Sequence, residues 1–197
     1  MSAPDPASGA GADAADASLR RSRRTLWLIL AVCTAPVVAS FSAYYLFPGR
    51  SASNYGELLP TQRAPQLQGE TADGKAWSLA DEEGRWVIVV ASRPACDRAC
   101  EGRLYATRQA RLLQGREQER VRRVWLVRDG LSDAPPNHPD LRVIRADAAS
   151  VDRLPRGESM IYLVDPLGNQ VIAWPDMPDI RGMGRDLARL LKASRIG

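Results

Sequence analysis

An α/β fold, a mixed central sheet flanked by helices, is predicted by three observations. Trp86-Val87-Ile88-Val89-Val90-Ala91 is a short apolar run rich in β-branched residues, the pattern of a strand buried on both faces. A helix-compatible stretch from Asp97 to Gln118 follows, with Ala106, Ala110 and Leu113 along one stripe and Tyr105 and Leu112 beside it. Between the two stand a pair of thiols, in Arg93-Pro94-Ala95-Cys96-Asp97-Arg98-Ala99-Cys100.

The chain preceding this core divides into three parts. Met1 to Leu19 is an Ala/Gly/Ser/Asp/Pro stretch that cannot bury a core, so residues 1–24 are expected to form a disordered tail. Thr25 to Phe47 carries no charge and is dominated by Leu, Ile, Val, Ala and aromatic residues. Its length suits a hydrocarbon layer of about 30 Å, which predicts a transmembrane helix over 25–47. A signal peptide is the competing reading, with Ala39-Ser40-Phe41-Ser42-Ala43 as the cleavage site, but the apolar stretch exceeds the usual signal core of ~7–15 residues. Arg20, Arg21, Arg23 and Arg24 lie before the span and only Arg50 and Arg63 lie at comparable distance after it. That asymmetry predicts a single-pass bacterial inner-membrane protein, its amino terminus cytoplasmic, its carboxyl-terminal domain periplasmic and the lipid bilayer a partner. Cys33, inside the apolar stretch, reads as inert packing. Residues 48–63 read as a linker and 64–197 as one domain.

Within that domain, Ala64-Pro65-Gln66-Leu67 and Trp77-Ser78-Leu79 flank the turn-rich Ala72-Asp73-Gly74-Lys75, which predicts an opening hairpin. After the strand at 86–91 and the cysteine-bearing helix, Arg123-Val124-Trp125-Leu126-Val127 reads as a second buried strand ended by Asp129-Gly130. Leu141-Arg142-Val143-Ile144 is a weaker strand or an extended edge. Met160-Ile161-Tyr162-Leu163-Val164 and Gln170-Val171-Ile172-Ala173-Trp174 flank Asp165-Pro166-Leu167-Gly168-Asn169, a strong hairpin signal. Asp179 caps a last helix in which Ile180, Met183, Leu187, Leu190 and Leu191 share a face.

The net charge is +4 and the isoelectric point is near 9.2, and nearly all the basic residues are arginines, since Lys75 and Lys192 are the only lysines. Arg103, Arg108, Arg111, Arg116, Arg120, Arg122 and Arg123 cluster on and after the cysteine-bearing helix, offset by Glu101, Glu117 and Glu119. The cluster reads as a solvated face, with anionic lipid or an acidic partner as the alternative, and nucleic acid is not expected outside the cytoplasm.

The thiols carry the chemistry. At i and i+4 on a first helical turn, Cys96 and Cys100 lie on one face, within reach of a disulfide or of one metal ion. Unpaired N–H groups at the helix start, with Arg93 and Arg98, favour thiolate, and Asp97 opposes it. Ordinary buried packing and a purely structural disulfide remain open beside these readings.

Strand, cysteine-bearing helix, strand, connection, hairpin and terminal helix is the order of a thioredoxin-like fold. Over roughly residues 60–195 the chain resembles the Sco/SenC family, membrane-anchored thioredoxin-fold proteins that assist cytochrome c oxidase assembly. The resemblance rests on the apolar amino-terminal segment, on Cys96 and Cys100 after Trp86-Val87-Ile88-Val89-Val90, and on the Ile161-Tyr162-Leu163-Val164-Asp165-Pro166-Leu167-Gly168 hairpin. More closely, the chain is similar to small transmembrane proteins associated with cytochrome oxidase genes in proteobacteria, which carry a like Cys-x3-Cys and an arginine-rich helix after it.

The resemblance implies that the two cysteine thiolates bind copper together with a histidine shortly before the Tyr-Leu-Val-Asp strand, near Gly157. No histidine stands there. The chain's one histidine is His138, in Ala134-Pro135-Pro136-Asn137-His138-Pro139-Asp140, and it is the remaining candidate third ligand, with Glu158 and Asp129 as harder and weaker donors. Thioredoxin-like reductases place a cis-proline just before the strand at 160–162, where this chain has Ser159. Three functions follow. Cys96 and Cys100 bind Cu(I), or maintain the thiols of a copper-receiving oxidase subunit; or they are the catalytic pair of a general thiol-disulfide oxidoreductase with another thiol client; or they are a structural pair in an interaction domain.

Overall fold

The computed structural model describes residues 24, 26–42, 54–130 and 138–194. They belong to two compact units, Met1–Ser53 and Asn54–Gly197. The disordered tail expected over 1–24 lies almost entirely outside the described residues.

In the first unit, helix α1 (26–42) has every side chain exposed, and Cys33 is an exposed free thiol rather than packed. The expected membrane span over 25–47 is overturned. Among the described residues no helix is long and apolar enough to cross a membrane. The 17 described residues from 26 to 42 span about 25 Å at 1.5 Å per residue, against a hydrocarbon layer of about 30 Å. The inner-membrane and periplasmic assignment, and the bilayer as a partner, fall with the span.

The second unit is built on one eight-stranded sheet, whose strands are β1 (Glu57–Arg63), β2 (Gln68–Thr71), β3 (Ala76–Ser78), β4 (Trp86–Ser92), β5 (Val121–Arg128), β6 (Leu141–Ala146), β7 (Ile161–Val164) and β8 (Asn169–Trp174). Their order across the sheet is β1-β8-β7-β4-β5-β6-β2-β3. The β4–β5 and β5–β6 pairs are parallel and all other neighbours antiparallel, so the sheet is mixed as expected. Helices α2 (Arg98–Leu112), α3 (Ala148–Asp152) and α4 (Ile180–Ala193) complete the unit.

Alternation along the strands sorts the core into two layers. Ile88 and Val90 of β4 face Leu104 and Ala110 of α2 and Met183, Leu187 and Leu191 of α4, together with Trp125 and Trp174. Val87, Val89 and Ala91 face the other side, with Val124, Leu126, Ile144, Val151 and Tyr162. Both faces are therefore covered, which is why the β4 sequence shows no polar alternation.

Several expectations change. Residues 57–63, expected to be linker, form β1 on the sheet edge, so the sheet begins before residue 64. Pro60 and a register shift between Leu58 and Gln62 suit an edge strand, where a missing N–H costs little. The segment at 141–146 is not an edge but sits between β5 and β2. The helix expected to reach Gln118 ends at Leu112, and Gly115, with φ of 57°, starts a separate 3₁₀ turn. The arginine cluster is not one solvated face. Arg103 and Arg123 are buried, and their neighbours tie elements together: Arg111 Nε donates to the Val121 carbonyl at 2.9 Å, and Arg120 donates to the Leu191 and Ser194 carbonyls.

The start of β1 is fastened by Asp186 of α4, a carboxylate only 1% exposed. It accepts from the backbone N–H groups of Tyr55 and Gly56 at 3.0 and 2.9 Å and from Trp174 Nε1 at 3.1 Å. Asp186→Ala leaves three donors, two of them buried, without an acceptor and is expected to lower the unfolding free energy by about 3 kcal/mol in urea denaturation. A change below about 1 kcal/mol would show that water replaces the carboxylate at no cost.

Candidate functional site

The site forms where β4 ends. Ser92 is its last residue, Arg93 to Cys96 turn away from the sheet, and Asp97 is the N-cap of α2. The Asp97 carboxylate accepts the Cys100 backbone N–H at 2.8 Å, which fixes the first turn. Gly130, just after β5, lies so close to Pro94 that a β-carbon there would collide with the proline ring. The cysteine loop is thus held by the helix cap on one side and by this contact on the other.

Cys96 and Cys100 form a disulfide with their Cα atoms 5.2 Å apart. The pair expected from the sequence is brought together, with one change. Cys96 lies one residue before the N-cap rather than on the helix, and only Cys100 belongs to the first turn. The two sulfurs consequently differ in access, since Cys100 is 1% exposed and Cys96 is half-buried.

Beside the cysteine loop is a cleft of about 320 Å³ whose lining includes Ser92, Arg93, Asp97, Arg103, Glu158 and Ser159 but neither cysteine. The loop before β7, through Glu158 and Ser159, therefore reaches the cleft beside the cysteine loop. No residue there supplies imidazole, and no cis peptide bond occurs among the described residues. Glu158 is engaged by Arg128 at 2.6 Å. Arg103 forms an ion pair with Asp176 across the floor of the cleft.

His138 is not brought to the cysteines. It precedes β6, whose Leu141 pairs with Arg123 near the start of β5, whereas Ser92 pairs with Val127 near its end. Four residues of strand, at about 3.3 Å each, set it roughly 13 Å away along the sheet. There it is 8% exposed, its Nδ1 3.3 Å from Arg123 Nη2. The loop leaves β5 at the cysteine end but delivers its last residues to the opposite one. Asp129, also weighed as a donor, accepts the Ala148 N–H at 3.0 Å and caps α3's approach.

Burial, with the positive charges of Arg123 and Arg108, holds His138 below the ordinary histidine range. Arg123, buried under α2, donates to the Leu104 carbonyl and to Thr107 Oγ1, and its pKa falls to about 10 through desolvation, so it stays charged. Burial raises Asp140, but Arg123 and Arg111 outweigh it and hold the carboxyl below its usual range.

One residue of the site was missed in the sequence. Ser92 is 5% exposed, and its Oγ lies 3.4 Å from Cys100 Sγ while accepting from Trp125 Nε1 at 2.9 Å. A lone hydroxyl ending a buried apolar strand is the signal that pointed to it.

A parallel β4–β5 pair, a hairpin antiparallel to it, and a disulfide at the strand-to-helix junction define a thioredoxin-like domain with a dithiol/disulfide site. The family described as transmembrane-like, thioredoxin-like, C-terminal domain matches residues 86–194, and the chain belongs to it. Solved structures similar to this chain include yeast Sco1 with copper bound, at 16% identity over 69% of this chain and 96% of that one, with a TM-score of 0.58. Arabidopsis thaliana ScoI with copper bound is 15% identical over 68% of this chain and 100% of that one, with a TM-score of 0.56. Apo Sco1 from Thermus thermophilus is 18% identical over 74% and 99%, with a TM-score of 0.54. At these identities the likeness concerns the fold. No curated protein matches the chain in sequence.

His138 also gives a test of the loop. Because its folded pKa lies below the unfolded value, its contribution is complete above about pH 6.5 and is lost as the pH falls from there through the folded pKa. It is the chain's one histidine. His138→Gln is therefore expected to reduce the loss of unfolding free energy between pH 7 and pH 5, measured by urea denaturation at both values. An unchanged difference would show that the imidazole is solvated.

Proposed function

We propose that this domain serves the assembly of a copper-containing oxidase by keeping the thiols of the copper-receiving subunit reduced, cytochrome c oxidase being the client that the Sco/SenC resemblance implies. The observation that carries the reading is the Cys96–Cys100 disulfide, with one half-buried and one fully buried sulfur in a loop whose Arg93, Ala95 and Asp97 line a cleft. In the reduced pair, Cys96 thiolate attacks a client disulfide and forms a mixed disulfide, expelling the first client thiolate. Cys100 then attacks Cys96 Sγ, closes the intramolecular disulfide and releases the second client thiol. Two electrons pass to the client, whose sulfurs take up two protons, and a dithiol reductant resets the pair.

The same two sulfurs suit Cu(I) as cargo, because a soft ion is held by two thiolates alone. Cu(II) fits poorly. Among the described residues no group of three or more His, Cys, Asp and Glu is placed to hold a metal, and His138 stands at the far end of β5.

Titration of the reduced chain with Cu(I), without competing thiols, is expected to give one equivalent bound and its loss in Cys96→Ser and in Cys100→Ser. Binding retained in both variants would remove the cargo reading and leave thiol maintenance. A disulfide potential below about −300 mV would instead mark the bond as structural and the domain as an interaction module. Equal rates on unrelated disulfides would favour a general oxidoreductase.

A further inference from the structure

We infer that Ser92 is a positioning residue that holds Cys100 as the protonated thiol of the reduced pair, and thereby sets which sulfur attacks first and how readily the disulfide is reduced. The inference deepens the proposed function and rests on the reading that Cys96 and Cys100 cycle.

The hydrogen-bond inventory of one hydroxyl carries the argument. Ser92 Oγ has one proton and two lone pairs. The proton is donated to the Arg93 carbonyl at 3.0 Å, and one lone pair accepts Trp125 Nε1 at 2.9 Å. Trp125 is fully buried, so its indole N–H depends on this acceptor and fixes the orientation of the hydroxyl. The remaining lone pair is left for Cys100 Sγ, 3.4 Å away.

When the disulfide opens, Cys100 gains a proton that this lone pair accepts. A thiolate in the same place would face an oxygen lone pair. The N–H of Cys100 itself is already held by the Asp97 carboxylate at 2.8 Å. Cys96 lies outside this arrangement, half-buried before the helix cap, and is the sulfur a client can reach. The order of events follows: Cys96 attacks, and Cys100 resolves once the mixed disulfide has formed. The Cys100 proton ends on the client thiolate that it displaces, so the step balances without another donor.

Ser92→Ala removes an acceptor that the reduced form uses and the disulfide does not, while the loss at Trp125 affects both states alike. The equilibrium of the full chain with reduced and oxidised glutathione is expected to shift about fivefold toward the disulfide, equivalent to roughly 20 mV. Ser92→Thr, which keeps the hydroxyl, is expected to stay within twofold of wild type. A Ser92→Ala equilibrium within twofold of a normally cycling wild type overturns the inference alone. A wild-type disulfide that resists dithiothreitol overturns the cycling reading and the inference with it.

Discussion

A strand with seven residues and no solvent-facing side chain can offer chemistry only at its end, and β4 is such a strand. It lies between β5 and β7, with α2 and α4 on one face and a second apolar layer on the other. Its apolar side chains contribute roughly 1.5–3 kcal/mol each when buried, so the position of β4 is the most firmly fixed in the domain. Everything reactive is referred to it. Ser92 closes the strand, Pro94 stops it, and Asp97 starts the helix that carries Cys100 back over the same apolar layer.

Polar groups inside this frame are placed by number of donors and acceptors rather than by charge alone. Arg123 is the clearest case, with a guanidinium that serves the Leu104 carbonyl, Thr107, Asp140 and His138 at once. An arginine so engaged fastens α2 to β5 and to the segment entering β6. It also makes the neighbouring imidazole a poor site for a cation, because a fixed positive charge faces Nδ1.

The order of elements was legible because the buried strands are long apolar runs and because the turns carry their own chemistry. Asp165 to Gly168 is an example: the Asp165 carboxylate accepts the N–H groups of Leu167 and Asn169, and Gly168 takes a φ of 81°. The Cys96/Cys100 pairing was legible too, from spacing. What was not legible depends on partners distant in sequence. In β1 only Leu59 is buried, so neither a strand period nor a core shows. Arg123 reads as surface until Asp140 and the middle of α2 are folded around it. The N-terminal apolar stretch was read by hydropathy as a span, a scale that registers composition alone. The hydroxyl of Ser92 stands out at the end of its apolar run, but its role does not, because that depends on the indole of a neighbouring strand.

The antiparallel pairing of β1 with β8, and the Asp186 carboxylate that fastens the approach to it, bear on where the folding unit begins. The matched family region starts at residue 86, inside the sheet, with three strands still to its amino-terminal side. A fragment cut there would keep both cysteines and both large helices. It would also strip the cover from β8 and from β6, turning two paired strands into open edges with free N–H and C=O groups, the kind of edge through which chains stack on one another. The first residues of this domain therefore protect its solubility as much as its shape, and the autonomous unit is wider than the stretch of sequence that relatives share.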